Sequence, residues 1–190
     1  MTIQLELLDD ERLPEFKKEM QRAFQLGAEA ELGSDYMEVL PEVDIDRSLN
    51  STGAVAYAAV KNGEMVGGAI VVINAQTQHN HLDFLFVKVG RQSKGVGKLI
   101  WAEIERRHPA TKVWETCTPY FEKRNIHFYI NRCGFHAVEL MVEKHPEEHS
   151  PDGKAHPERG DDLMFRFEKQ MTPPVSFCFC ELKAPVEGSL

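Results

Sequence analysis

Val87-Lys-Val-Gly-Arg-Gln-Ser-Lys-Gly-Val-Gly-Lys98 is the stretch that decides how this chain is read. The apolar run Leu82 to Val89, rich in Phe and Val, predicts a central strand entering it. Val96 to Arg107 predicts a helix leaving it, with Leu99, Ile100 and Ile104 turned inward and Pro109 ending it. Between strand and helix stand Gly95 and Gly97, two residues apart. Without Cβ atoms, backbone N–H groups can converge on one point, and the helix start adds partial positive charge. The result is an anion site suited to a pyrophosphate, with Arg91, Lys94 and Lys98 adding cationic side chains. By itself the pattern also fits a tight turn with no ligand. It is neither a Gly-x-x-x-x-Gly-Lys-Ser/Thr loop nor a dinucleotide fingerprint, which would need a third glycine and a placed acid.

Upstream, Ala54 to Lys61 and Glu64 to Ile73 are apolar runs joined by Asn62-Gly63, the strongest short-range hairpin signal. Ile3 to Leu8 alternates as a first strand. Asp10 then caps a helix whose stripe is Leu13, Phe16, Met20, Ala23 and Phe24, fading near Gly27. Residues 25 to 53 are irregular and acidic, with a short helix over Asp44 to Leu49. Downstream, Lys112 to Thr118 reads as a strand and Glu122 to Arg132 as a helix stopped by Gly134. Phe135 to Lys144 and Leu163 to Lys169 read as antiparallel strands around an 18-residue loop, His145 to Asp162. This order predicts a layered α/β domain around a mixed sheet over residues 1–170. A tail over 171–190 holds one more apolar run, Val175 to Leu182, which could extend the sheet or meet a second subunit.

The 190 residues suit one domain, and 42% hydrophobic with 27% charged residues is ordinary for a globular protein. A formal charge of −8 argues against a general nucleic-acid binder and favours a cationic small molecule or peptide as partner. No run reaches the roughly 18 apolar residues of a membrane span, and no secretory signal opens the chain, so a cytoplasmic location is expected. Cys117, Cys133, Cys178 and Cys180 lack paired C-x-x-C spacing, and His145, His149 and His156 are irregularly spaced, so no metal is expected.

Gln92-Ser-Lys-Gly-Val-Gly97 resembles the Q/R-x-x-G-x-G/A signature of the GNAT N-acetyltransferase superfamily. Val87-x-Val89 stands where that family has Val-x-Pro at the end of its fourth strand. His127-Phe-Tyr-Ile-Asn-Arg-Cys-Gly-Phe135 is similar to its FYEKLGF-type helix end. The resemblance covers residues 1 to about 169 and implies a three-layer α-β-α domain around a mixed, largely antiparallel sheet splayed between strands four and five. It implies an acyltransferase that moves acetyl from acetyl-CoA to a primary amine by direct attack. Backbone N–H groups of Gln92, Ser93, Lys94, Gly95, Val96, Gly97 and Lys98 would cradle the CoA pyrophosphate. The strand end at Val87 and Val89 would bind the pantetheine arm and acetyl carbonyl. Asn125 would be a further cofactor contact, and Tyr129 would protonate the departing thiolate. The step from Tyr129 to Gly134 is one residue longer than the family's, so either Ile130 stands at the usual position or the helix end absorbs an extra residue.

Attack of an amine on a thioester requires loss of a proton. Glu115 interrupts the otherwise apolar strand Val113-Trp-Glu-Thr-Cys117 and is the leading candidate base. His81, Asp83 and a water chain are the alternatives. The acidic stretch from Glu29 to Asp46 reads either as solvated surface or, in this fold, as the border of the acceptor opening, where it would attract a cationic amine. The acceptor is expected to be a small cationic amine; a protein N-terminus or lysine, or a CoA-binding module without catalysis, are the alternatives.

Overall fold

The computed structural model describes residues 2–33, 39–92, 95–142 and 163–171. The 145–162 loop, most of the 171–190 tail, Ser93 and Lys94 lie outside the described residues. Strand β1 (Gln4–Leu7) leads into helix α1 (Leu13–Leu32), then α2 (Glu42–Leu49) and strands β2 (Ala54–Lys61), β3 (Glu64–Val72) and β4 (His79–Val87). Helix α3 (Val96–Arg107), β5 (Val113–Pro119) and α4 (Lys123–Phe128) follow. Then come a π-helical turn (Tyr129–Cys133), β6 (His136–Val142) and β7 (Leu163–Gln170).

The seven strands form one sheet in the order β1-β2-β3-β4-β5-β7-β6. All pairings are antiparallel except β4 with β5. That parallel pair is short: His79, Asn80 and His81 face Val113, Trp114 and Glu115, and beyond this rung the two strands separate. The sheet therefore opens as a fork whose closed end lies at His81 and Glu115. A bulge helps to open it. Ile70 pairs with Phe84 but the next residue, Val71, pairs with Leu82, so Asp83 is the extra residue in β4. A bulge bends its strand and re-aims the side chains beside it.

One apolar layer joins α1 and α2 to the sheet through Phe16, Met20, Ile45, Ile70 and Phe86. The other joins α3 and the π turn through Ile100, Trp101, Ile104, Trp114, Tyr129 and Phe135. The three-layer α-β-α architecture is as expected, splay included. Asn62 and Gly63 both have positive φ, 54° and 79°, as a type I′ hairpin turn demands. No helix among the described residues is long and apolar enough to cross a membrane.

Two expectations at α1 need correction. Asp10 is not the cap: the Asp9 carboxylate accepts the Arg12 N–H at 2.9 Å, and α1 starts one residue later with Pro14 in its first turn. Nor does α1 fade at Gly27. It runs on to Leu32 and stops at Gly33, whose φ is 100°. Tertiary packing of Ala28, fully buried, outweighs the roughly 1 kcal/mol penalty of a mid-helix glycine.

Candidate active site

Gly95 adopts φ 74°, a left-handed conformation that favours glycine, and a Cβ built on it would meet nothing within 4 Å. It is the residue preceding α3, and no side chain among the described residues caps that helix. The first intrahelical bond is from the Leu99 N–H to the Gly95 carbonyl at 3.1 Å, leaving the N–H groups of Val96, Gly97 and Lys98 without intrahelical partners. These donors border a cavity of about 540 Å³, within the usual range for ligand sites. Lys98, Arg124 and Arg132 line the same cavity and make this end cationic, with His127 beside them. An elongated anion fits that chemistry.

The cavity passes through the fork. It is walled by Leu85 to Val87 of β4, by Asn125, Phe128 and Tyr129 from one layer, and by Ala23, Phe24 and Gly27 of α1 from the other. Of the expected cofactor residues, Val87, Gln92, Gly95, Val96, Gly97, Lys98 and Asn125 all line it. Val89 lies in the turn beyond β4 and is not among the lining residues. Arg91 is engaged by Glu64 on the hairpin instead of facing the glycines.

Tyr129 resolves the spacing question raised by the sequence. The additional residue before Gly134 is absorbed by the π-helical turn, a common device at functional sites. Tyr129 lines the cavity at 8% exposure, whereas Ile130 is 40% exposed. Burial pushes the Tyr129 phenol above its ordinary range, and the Thr116 hydroxyl pulls it partly back. Thr116 donates its own proton to the Leu82 carbonyl at 2.9 Å, bridging the two arms of the fork just past its closed end. The Tyr129 hydroxyl therefore keeps its proton.

Glu115 lies at the closed end of the fork, on the face opposite Trp114, and outside the cavity lining. Its carboxylate accepts from Arg166 of β7 at 3.0 Å, and His79 Nε2 stands 3.5 Å away. Arg166 also binds Glu168 at 2.6 Å and Glu139 at 3.0 Å. His79, Glu115 and Glu168 offer ligand atoms within 4.8 Å of one another, but the guanidinium already occupies both carboxylates. Part of the acidic stretch is likewise engaged, with Glu42 and Asp46 both on Lys17.

Sequence reasoning missed Glu122. It lines the cavity at 6% exposure, with no hydrogen bond to its carboxylate among the described residues. Burial pushes its carboxyl upward, Glu31 adds to the rise, and Arg124 opposes it. A Cβ on Gly27 would lie 3.7 Å from one of its oxygens. The signal was an acidic residue at the start of a helix, where a favourable dipole is the ordinary explanation.

A strand fork, uncapped N–H groups at a helix start on one side of it and a buried phenol inside it together define an acyltransferase. The chain belongs to the acetyltransferase (GNAT) family, whose model matches residues 13–135. It is 44% identical over 173 residues to the Bacillus subtilis (strain 168) protein YrkN, described as uncharacterized, covering 88% of this chain and 92% of that one. Solved structures share the fold at lower identity. The ribosomal-protein-S18-alanine N-acetyltransferase of Escherichia coli superposes with TM-score 0.64 at 14% identity, over 94% of this chain and 99% of that one. The Vibrio cholerae spermidine N-acetyltransferase, in complex with CoA and spermine, does so with TM-score 0.61 at 12% identity, over 88% and 95%.

Proposed function

We propose that this acyltransferase moves acetyl from acetyl-CoA to the primary amine of a small cationic acceptor, by direct attack in a ternary complex. The observation that carries this reading is one cavity joining the unpartnered N–H groups of α3 to Tyr129 across the fork. The main chain from Gln92 through Ser93, Lys94, Gly95, Val96 and Gly97 to Lys98 would hold the pyrophosphate, with Arg124 and Arg132 beside it. The free edge of β4 near Val87 would hold the pantetheine arm and polarise the acetyl carbonyl, and Asn125 would touch the arm from α4. Tyr129 would give its proton to the thiolate. Glu115, with its charge engaged by Arg166, would border the acceptor. The net acidity of the chain favours a cationic amine, and a cosubstrate of central metabolism favours the cytoplasm.

The test is a panel of polyamines, amino acid esters, arylalkylamines and short peptides incubated with acetyl-CoA. Mass spectrometry should show one added acetyl group on a small cationic amine. Acetylation confined to peptides would move the assignment to a protein acceptor. Tight acetyl-CoA binding with no transfer to any amine would leave a binding module.

A further inference from the structure

On the sheet face away from Tyr129, the closed end of the fork carries a chain of polar groups that the cofactor has no need of. Ser48 of α2 donates to Asp83 Oδ2 at 2.5 Å, and Asp83 Oδ1 holds His81 Nδ1 at 2.6 Å. The bulge in β4 makes this arrangement. Asp83 is the unpaired residue, and alternation along the strand places His81 on the same face. With Nδ1 committed to the carboxylate, Nε2 is the nitrogen that remains for a proton acceptor's role, 4.0 Å from Glu115 Oε1 and with Cys117 also against the ring. The His81 side chain is 34% exposed, whereas the Asp83 side chain that holds it is 19% exposed. Two buried or half-buried groups thus orient a third that solvent can reach, on the sheet beside the cavity and outside its lining. On β5, the buried Thr116 faces Tyr129, so its neighbours Glu115 and Cys117 point to the His81 side.

We propose that His81, oriented by Asp83 and Ser48, is the group that takes the proton from the attacking amine. This rests on the acetyl-transfer reading above. The free amine attacks the thioester carbon from the α1–α2 side as His81 Nε2 removes one N–H proton, and the C–N bond forms. The C–S bond then breaks, and the sulfur takes the Tyr129 proton. The imidazolium and tyrosinate exchange that proton through solvent, so one acetyl replaces one N–H hydrogen. Base and acid stand on opposite faces of the fork, which the thioester spans.

Burial disfavours the charged His81 ring, but Asp83 and Cys117 outweigh it and push its pKa up to about 9. The other groups facing it are His79 on its own strand, Glu115 on β5 with Arg166 behind, and Ser48 on α2. A base of that strength is matched to the amine it serves.

The experiment follows kcat/KM from pH 6 to 10.5, using spermidine or whichever panel amine the wild type acetylates fastest. Wild type should show a rising limb that levels near pH 9. His81→Ala should lose about 100-fold or more and the limb, with partial rescue by added imidazole. Asp83→Asn should move the break down toward the ordinary histidine value of about 6.5, and NMR titration of the His81 ring should move with it. A His81→Ala enzyme within threefold of wild type, or a break unmoved in Asp83→Asn, overturns the proposal while acetyl transfer stands. A wild type that acetylates no amine overturns both. Acetyl-CoA affinity measured by calorimetry on each variant separates loss of chemistry from loss of fold.

Discussion

Replacing Tyr129 by Phe separates chemistry from packing more cleanly than any other single change in this site. The ring stays: it packs against Phe128, Phe135 and Phe167 at centroid distances of 5.6, 5.7 and 5.8 Å, contacts that Phe can reproduce. What goes is one hydroxyl, together with the influence of Thr116 on it. Thr116 keeps its donor satisfied on the Leu82 carbonyl, so no buried donor is orphaned. The stability loss should therefore sit at the low end for a hydrogen bond, about 0.5–1.5 kcal/mol. For a chain of this size that is a fall in Tm of roughly 2–6 °C. The rate loss should be far larger. General acid catalysis is worth about 10²–10⁴-fold, because the departing thiolate takes its proton as the C–S bond breaks. The assay is thiol release from acetyl-CoA at saturating amine, beside calorimetric acetyl-CoA affinity and a thermal melt. The expected pattern is kcat down at least 100-fold, cofactor affinity within about threefold and a small Tm change. Full activity in Tyr129→Phe would refute the reasoning. So would a rate loss matched by a collapse in Tm, since Tyr129 would then be structural.

Gly95→Glu should abolish acetyl-CoA binding, because the new side chain would enter open space beside the α3 donors with a charge that repels phosphate; unchanged calorimetric affinity would remove the cradle assignment. Gly95→Ala should lose about 1–2 kcal/mol of stability from its left-handed φ alone, read by urea unfolding. Glu122→Gln should melt above wild type at pH 7.5. The folded-state carboxyl titrates above its unfolded value, so the stability of its neutral form is present below about pH 4 and is lost as pH rises through the folded pKa. The neutral amide escapes that loss, by an expected ~1–2 kcal/mol, and the difference should vanish at pH 4. Gly27→Leu should leave α1 intact yet crowd Glu122 and narrow the cavity. It should raise KM at least tenfold, and an unchanged KM would remove the α1 wall from the site.

The elements whose evidence is local were legible in the chain of letters. Asn62-Gly63 dictates its own φ values, so the hairpin needed no tertiary information. The strand, Gly95-x-Gly97 and helix succession likewise places its N–H groups through backbone conformation alone, which is why a candidate cofactor side could be proposed from the sequence. The end of α1 could not be read this way. Gly27 looks like a stop until Ala28 is seen packed at zero exposure in the core. The partner of Glu115 was out of reach for a related reason: an acid in an apolar strand asks for a partner, and Arg166 answers from 51 residues away across β5 and β7.

From the sequence alone came the family, the layered architecture and the glycine turn ahead of α3, since each depends on residue types at fixed local spacing. Only the tertiary structure decided that an extra residue becomes a π turn aiming Tyr129 inward, that a bulge at Asp83 sets Asp83 against His81 at the closed end of the fork, and that Glu122 is buried with no hydrogen bond to its carboxylate among the described residues. Those outcomes depend on which strands part and which helices cross the gap. Such contacts between residues distant in the chain are set by the balance of packing over the whole core, which no short window of sequence contains.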